Sequence, residues 1–201
     1  MDLLPIKRAI LSVTDKSGLL DFARFLNQGG VELFSTGGTR KKLTDAGLDV
    51  ASVSEVTGFP EILNGRVKTL HPHIHSGILA DKNNPEHLAV LADLDLAPFD
   101  LVCVNLYNFA EAAAGGLDLK AAVERIDIGG PTMLRAAAKN FHSVLVVPGP
   151  RHYPLVREEL ARARDASGNF RAPLGLRKDM AALTFADTSE YDAMIAEYLR
   201  Q

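Results

Sequence analysis

The chain has a single cysteine in 201 residues, so no intrachain disulfide can staple it and packing has to hold it together. That residue, Cys103, lies inside the apolar run Leu101-Val102-Cys103-Val104, where nothing polar would support a thiolate. It reads as an inert buried thiol in a reducing compartment. Positive charge is not in excess: the formal net charge is -3, which offers nucleic acid or an acidic membrane no electrostatic reason to bind. No apolar run reaches the roughly 20 residues needed to span a bilayer. The opening Met-Asp-Leu-Leu-Pro has no basic segment followed by an apolar one, so no signal peptide is expected and a cytoplasmic location is. What remains is ordinary for a globular protein, 47% hydrophobic and 23% charged, and long enough for one α/β domain with a helical appendage.

Short apolar runs alternate with helical stretches. Residues 9–13 read as a strand, then Leu19, Leu20, Phe22, Ala23, Phe25 and Leu26 recur at helical spacing up to Gly29-Gly30. A second strand over 31–34 runs into Ser35-Thr36-Gly37-Gly38-Thr39, which opens a short helix closed by Gly47; residues 50–53 suggest a third strand. After a long irregular stretch come a helix over 85–91, the strand 101–104, a helix over 119–126, a Gly-Gly-Pro turn with a further helix, and a strand over 143–147. From Tyr153 the pattern is helical, broken at Ser167-Gly168-Asn169 and Pro173, with one or two helices over 180–199. This alternation predicts a mostly parallel sheet flanked by helices on both faces. One domain over 1–201 is expected, with 153–201 as its helical C-terminal part. Ligands of such sheets bind beyond the carboxyl ends of the strands, which is where the polar loops at Thr14, Ser35 and Asn105 fall.

Asn64-Gly65-Arg66-Val67-Lys68 is the most informative segment. In an extended chain, alternation puts Arg66 and Lys68 on one side, where two like charges repel unless an anion sits between them. The segment belongs to a stretch of some two dozen residues with little helical periodicity, and long irregular segments inside compact domains are more often functional than filler. It reads as a lip of an anion-binding site. Ser35-Thr36-Gly37-Gly38-Thr39 offers hydroxyls, N–H groups at a helix start and glycines that allow close approach, all suited to phosphate; a plain strand-to-helix turn explains it equally well. The loop carrying Ser12, Thr14 and Lys16 is a similar junction, and the two would wall one phosphate pocket. In Ile126 to Asn140, Pro131 suits a first helical turn, and Arg135 and Lys139 share a face. Asp127 pairing with Lys139 across the turn would make a proton-transfer couple, with Arg135 structural. Asn105 and Tyr107, on one side of an extended segment, suit a polar heterocycle, although Tyr107 as a rim-packed aromatic is as good an account. The alternating His71, His73 and His75 raise a zinc site, but no nearby carboxylate or cysteine completes it; no metal is expected.

These residues carry a resemblance. Leu-Ser-Val-Thr-Asp-Lys-Ser-Gly (11–18), Phe-Ser-Thr-Gly-Gly-Thr (34–39), Gly-Arg-Val-Lys-Thr-Leu-His-Pro (65–72) and Val-Asn-Leu-Tyr (104–107) are similar to the inosine monophosphate cyclohydrolase domain of the bifunctional purine-biosynthesis enzyme. So are the run 126–140 and Thr-Phe-Ala-Asp-Thr-Ser-Glu-Tyr-Asp (184–192). Asn108 stands where that family usually has proline, and His73 where lysine is common. The resemblance implies a methylglyoxal-synthase-like three-layer fold and closure of 5-formamidoimidazole-4-carboxamide ribotide to inosine monophosphate with loss of water. It also implies a homodimer, no cofactor, and a stand-alone domain whose transformylase is a separate protein. It assigns Lys68 to the carboxamide, Asp127 and Lys139 to proton relay, Tyr107 to the reacting oxygen, and Asn105 and Arg66 to orientation. Ser12, Thr14, Lys16, Ser35, Thr36, Gly37, Gly38, Thr39, Thr69, Gly129 and Gly130 would hold the substrate and its phosphate. A methylglyoxal-synthase-like lyase and a nucleotide-sensing module are the alternatives on the same fold.

Overall fold

Five short strands rich in Leu, Val and Ile assemble into a parallel sheet. They are β2 (Arg8–Ser12), β3 (Glu32–Ser35), β4 (Ala51–Ser52), β5 (Leu101–Val104) and β6 (Leu145–Val147), in the order β4-β3-β2-β5-β6. This is a computed structural model describing residues 1–107, 109 and 118–200, with the Asn64 side chain left aside. Every residue of β5 and β6 is buried, as expected for strands covered on both faces. Register aligns the carboxyl ends: Leu11 sits opposite Ser35, and Ser12 opposite Val104. The loops that follow β2, β3 and β5 therefore open on one edge, as the alternation predicts.

Helices cover the sheet because their apolar residues recur on one face. In α1 (Leu19–Gln28) the buried set is Leu19, Phe22, Ala23 and Leu26. Next come α2 (Gly37–Asp45), α3 (Val53–Thr57), α4 (Pro72–Leu79), α5 (Pro85–Asp93) and α6 (Leu119–Val123). The helix α7 (Gly129–Lys139) buries Met133, Leu134 and Ala136 to Ala138; small side chains let it lie close to its neighbours. After α8 (Tyr153–Arg162), the last element α9 is one helix of 26 residues, Leu174–Leu199. It packs on α7 and β6.

The structure differs from the sequence reading in three places. The stretch 53–79, expected to be irregular, holds α3 and α4. His71 caps α4 by accepting the His73 N–H at Nδ1 (3.2 Å), and Pro72 fills the first turn, where its missing N–H costs nothing. Residues 3–5 and 171–173, given no role or read as helix, form the strands β1 (Leu3–Pro5) and β7 (Arg171–Pro173) of a small antiparallel ribbon. The Gly-Gly of 129–130 is the first turn of α7 itself, not a turn before it. Asn108 lies outside the described residues. No described helix is long and apolar enough to cross a membrane.

Two buried cations tie the elements together. Lys82 reaches the Phe99 carbonyl (2.9 Å) and the Asp100 carboxylate, whose other oxygen accepts the N–H groups of Lys7 and Arg8 (both 2.8 Å). The fully buried Arg177 donates to carbonyls of Phe141, His142, Met1 and Asp2, so α9 holds the N-terminus against the α7–β6 turn.

Candidate active site

Three segments converge on the carboxyl edge around Lys68. Its amine lies 3.7 Å from where a Cβ on Gly37 would stand and 3.8 Å from the same point on Gly65. Both glycines have left-handed φ (46° and 87°), a conformation that side chains disfavour. The amine thus sits over the first turn of α2. The N-cap Thr36 makes no side-chain cap there, so the N–H groups of Gly37 and Gly38 stay open to an acceptor. Lys68 also faces Asp127, whose carboxylate feels its charge.

Asp127 stands at the start of α7 and folds over Gly130. Its Oδ1 accepts the Gly130 N–H (2.9 Å), and a Cβ on Gly130 would come within 2.2 Å of Oδ2. Burial pushes the Asp127 carboxyl above the ordinary carboxylate range, against the opposing pull of the Gly130 N–H and Lys68. Gly129 serves the neighbouring segment, since a Cβ there would stand 2.7 Å from the buried Thr69 hydroxyl oxygen. Lys68, Thr69, Gly37, Asp127, Gly129 and Gly130 therefore come together, from three separate parts of the sequence.

Other expected residues do different work. Ser35 donates its hydroxyl to the Leu11 carbonyl (2.7 Å), and Thr39 both donates to the Val13 carbonyl (2.9 Å) and accepts the Val13 N–H (3.1 Å). These buried hydroxyls clasp β3 and α2 to the end of β2 and have no proton left for a phosphate. Asn105 is largely committed as well: its Oδ1 takes Thr14 N–H, Thr14 hydroxyl and Asp15 N–H, and one Nδ2 proton goes to the Asp15 carbonyl. It shapes the first loop, where Lys16 reaches the Thr14 carbonyl (3.3 Å); Ser12, half-buried at the end of β2, stands beside it. Arg66 has helical backbone angles, not extended ones, so alternation does not align it with Lys68; it pairs with Glu124 of the α6 segment.

The couple of Asp127 with Lys139 is not formed. Asp127 lies just before α7 and Lys139 is its last residue, and the ten steps from Gly129 to Lys139 carry the chain about 15 Å along the axis. Lys139 is exposed at the far end. The three histidines fall in and before α4 rather than on one strand face. His71 meets His73 edge-on, and His75 is buried enough to hold its imidazole below the usual range. Among the described residues no three His, Cys, Asp or Glu side chains cluster as metal ligands.

Beside this cluster opens a cavity of about 980 Å³. Thr14, Asn105 and the half-exposed Tyr107 line it on the sheet side, Arg125 and Arg151 at the rim, and Tyr191 of α9 at its inner wall. The Tyr191 phenol oxygen accepts the Asp127 N–H (2.8 Å), so cavity and cluster meet there. Neither Tyr191 nor Arg125 stood out from composition or spacing. Tyr191 does lie in the 184–192 motif, which was the available signal.

An MGS-like domain model matches residues 18–132, and an AICARFT/IMPCHase bienzyme model matches 137–201. The chain belongs to the MGS-like domain family. It is 52% identical over 195 residues to the bifunctional purine biosynthesis protein PurH of Leuconostoc mesenteroides and 49% identical over 197 residues to that of Acetivibrio thermocellus. Those alignments take in 96% and 98% of this chain but 37% of each relative, so the chain spans little more than a third of their length. The crystal structure of ForH superposes with a TM-score of 0.80 at 32% identity, covering 96% of this chain and 99% of that one.

Proposed function

We propose that the chain is an IMP cyclohydrolase acting in purine biosynthesis, closing 5-formamidoimidazole-4-carboxamide ribotide to inosine monophosphate. The observation that carries this reading is the Lys68 amine set between the open N–H groups of α2 and the raised Asp127 carboxyl. A ribose phosphate suits the open N–H groups at the helix start. The heterocycle then extends toward Asp127 and the cavity wall at Tyr107. Likeness to bifunctional purine biosynthesis proteins over nearly the whole chain supports the same substrate.

In the reaction the carboxamide nitrogen attacks the formyl carbon of the same molecule. A C–N bond forms, the nitrogen loses a proton and the formyl oxygen takes one. The resulting hydroxyl then leaves as water with a second proton, while the former formamide nitrogen gives up its own proton and the C=N bond forms. In this reading Asp127 takes the proton, because a carboxyl raised by burial is a stronger base than an ordinary one. The Lys68 ammonium meets the growing charge on the formyl oxygen, a role in which one donor contributes about 2.7–4 kcal/mol. Tyr107 lines the cavity as a second donor. Arg66 acts through the loop it holds to Glu124, and Lys139 has no role in a site built from one chain. Formyl transfer, on whatever polypeptide, must supply the substrate.

The test is direct. The purified chain is mixed with the formamido ribotide without folate or added metal, and purine absorbance is followed. A rise that depends on enzyme concentration is expected. A flat trace with folded protein would refute the assignment, and product from dihydroxyacetone phosphate would point to the lyase instead.

A further inference from the structure

The Asp127 amide is held by an element remote in sequence. Its N–H donates to the phenol oxygen of Tyr191, 64 residues away, at 2.8 Å. Asp127 precedes α7 by two residues; its carboxylate takes the N–H groups of Gly130 and Gly129 at the helix start, and the Tyr191 contact is the one that holds its own amide. The carboxylate could follow any shift of this short link. Tyr191 is 3% exposed and stands edge-on to Phe109, so its ring is confined by packing and its oxygen is a fixed point. Burial holds its phenol above the usual range, which keeps it neutral and suited to accept an amide proton.

The geometry points to Tyr191 as a positioning residue for Asp127, by which the C-terminal helix sets the aim of the catalytic carboxylate. This rests on the reading of Asp127 as the proton acceptor. It also gives the C-terminal segment a part in the site. Residues 18–132 match the MGS-like model and include Asp127, whereas Tyr191 lies in the separately matched 137–201. On this view the sheet domain carries the carboxylate, and the appended helix aligns it.

Tyr191→Phe removes the oxygen and keeps the ring. Small misplacements of a reacting group cost up to about a hundredfold in rate, so kcat should fall roughly ten- to a hundredfold with KM within about twofold. Tyr198→Leu, in the same helix as Tyr191, is the packing control: it disturbs the contact of Tyr198 with Phe109 (ring centroids 5.3 Å apart) without touching the Tyr191 oxygen. It should lower the melting temperature and leave kcat in place. Wild-type kcat in Tyr191→Phe, or an equal loss of kcat in Tyr198→Leu, would overturn the inference. Amide hydrogen exchange at Asp127 gives a readout independent of turnover. Faster exchange there in Tyr191→Phe, with the rest of α7 unchanged, is expected; unchanged protection refutes the contact. If the wild-type chain proves inactive on the formamido ribotide, the functional reading falls and exchange alone decides the role of Tyr191.

Discussion

Gly130→Ala should separate stability from activity. A methyl group at this position would stand 2.2 Å from Asp127 Oδ2, 3.0 Å from Cγ and 3.3 Å from Oδ1, so the carboxylate has to move. The backbone does not object, because Gly130 has no positive φ, and alanine gains up to about 1 kcal/mol over glycine inside a helix. Against this stands the Gly130 N–H bond to Oδ1; a capping interaction of that kind contributes about 1 kcal/mol. The two nearly cancel, and the melting temperature should stay close to wild type. Turnover should not. Displacing Asp127 by the ångström or more that the methyl demands should cost roughly a hundredfold in kcat. The contrast is Gly29→Ala, where the new methyl meets the Phe170 ring at 2.0, 2.4 and 2.7 Å. That ring is fully buried and stacked on Phe25, so it has no room to yield. Overpacking should cost about 1–3 kcal/mol while kcat at a permissive temperature stays unchanged. Thermal melts and steady-state kinetics on both variants suffice. If Gly130→Ala turned over at the wild-type rate, the carboxylate that crosses Gly130 would not be the working one.

Asp127→Asn tests the same group through pH. Because burial raises its folded pKa, Asp127 binds its proton more tightly when folded. The stability this supplies is complete below the unfolded value and is lost as pH rises through the folded one. At pH 7 the ionised carboxyl opposes folding, so the amide should melt higher than wild type there. That advantage should vanish as pH falls toward about 4, with activity abolished throughout. Lys82→Met leaves Asp100 in a buried site (side-chain exposure 11%) with two backbone donors but no cation. Urea unfolding should show a loss near about 3 kcal/mol, and Lys82→Met with Asp100→Asn should recover part of it. Thr39→Val strips Val13 of both partners, a cost of roughly 2 kcal/mol or more by urea titration. Unchanged stability with a raised KM would instead return Thr39 to the phosphate.

The sheet was legible because its signals are local. A run such as Leu101 to Val104 is apolar at every position, and only a strand covered on both faces wants that. The helices α3 and α4 were not legible, being five and eight residues long. Two turns give too few repeats for a 3.6-residue period to stand out against Gly, Pro and His. What decides α4 is a side chain reaching forward two residues from His71, together with Gly77 lying against Phe99 (3.1 Å for a Cβ there). The first is a cap that histidine seldom announces. The second is a tertiary contact with no trace in the local pattern. β1 and β7 pair across almost the whole chain, and no window of sequence contains both.

The site divides along the same line. Where backbone conformation sets the chemistry, glycine reports it: Gly37 and Gly65 at positive φ, and Gly129 and Gly130 where Thr69 and Asp127 press in. Where a hydroxyl or amide is concerned, the residue type gives the capacity to bond but not the partner. Ser35, Thr39 and Asn105 have groups suited to a ligand, and folding uses those groups on Leu11, Val13, Thr14 and Asp15 instead. Charges mislead in another way. Asp127 and Lys139 attract on paper, but a helix is a ruler: once α7 begins at Gly129 rather than after a turn, its pitch carries the lysine away. The carboxylate is left with Lys68, which arrives from a loop some sixty residues earlier in the sequence, and the site's proton chemistry is set across segments.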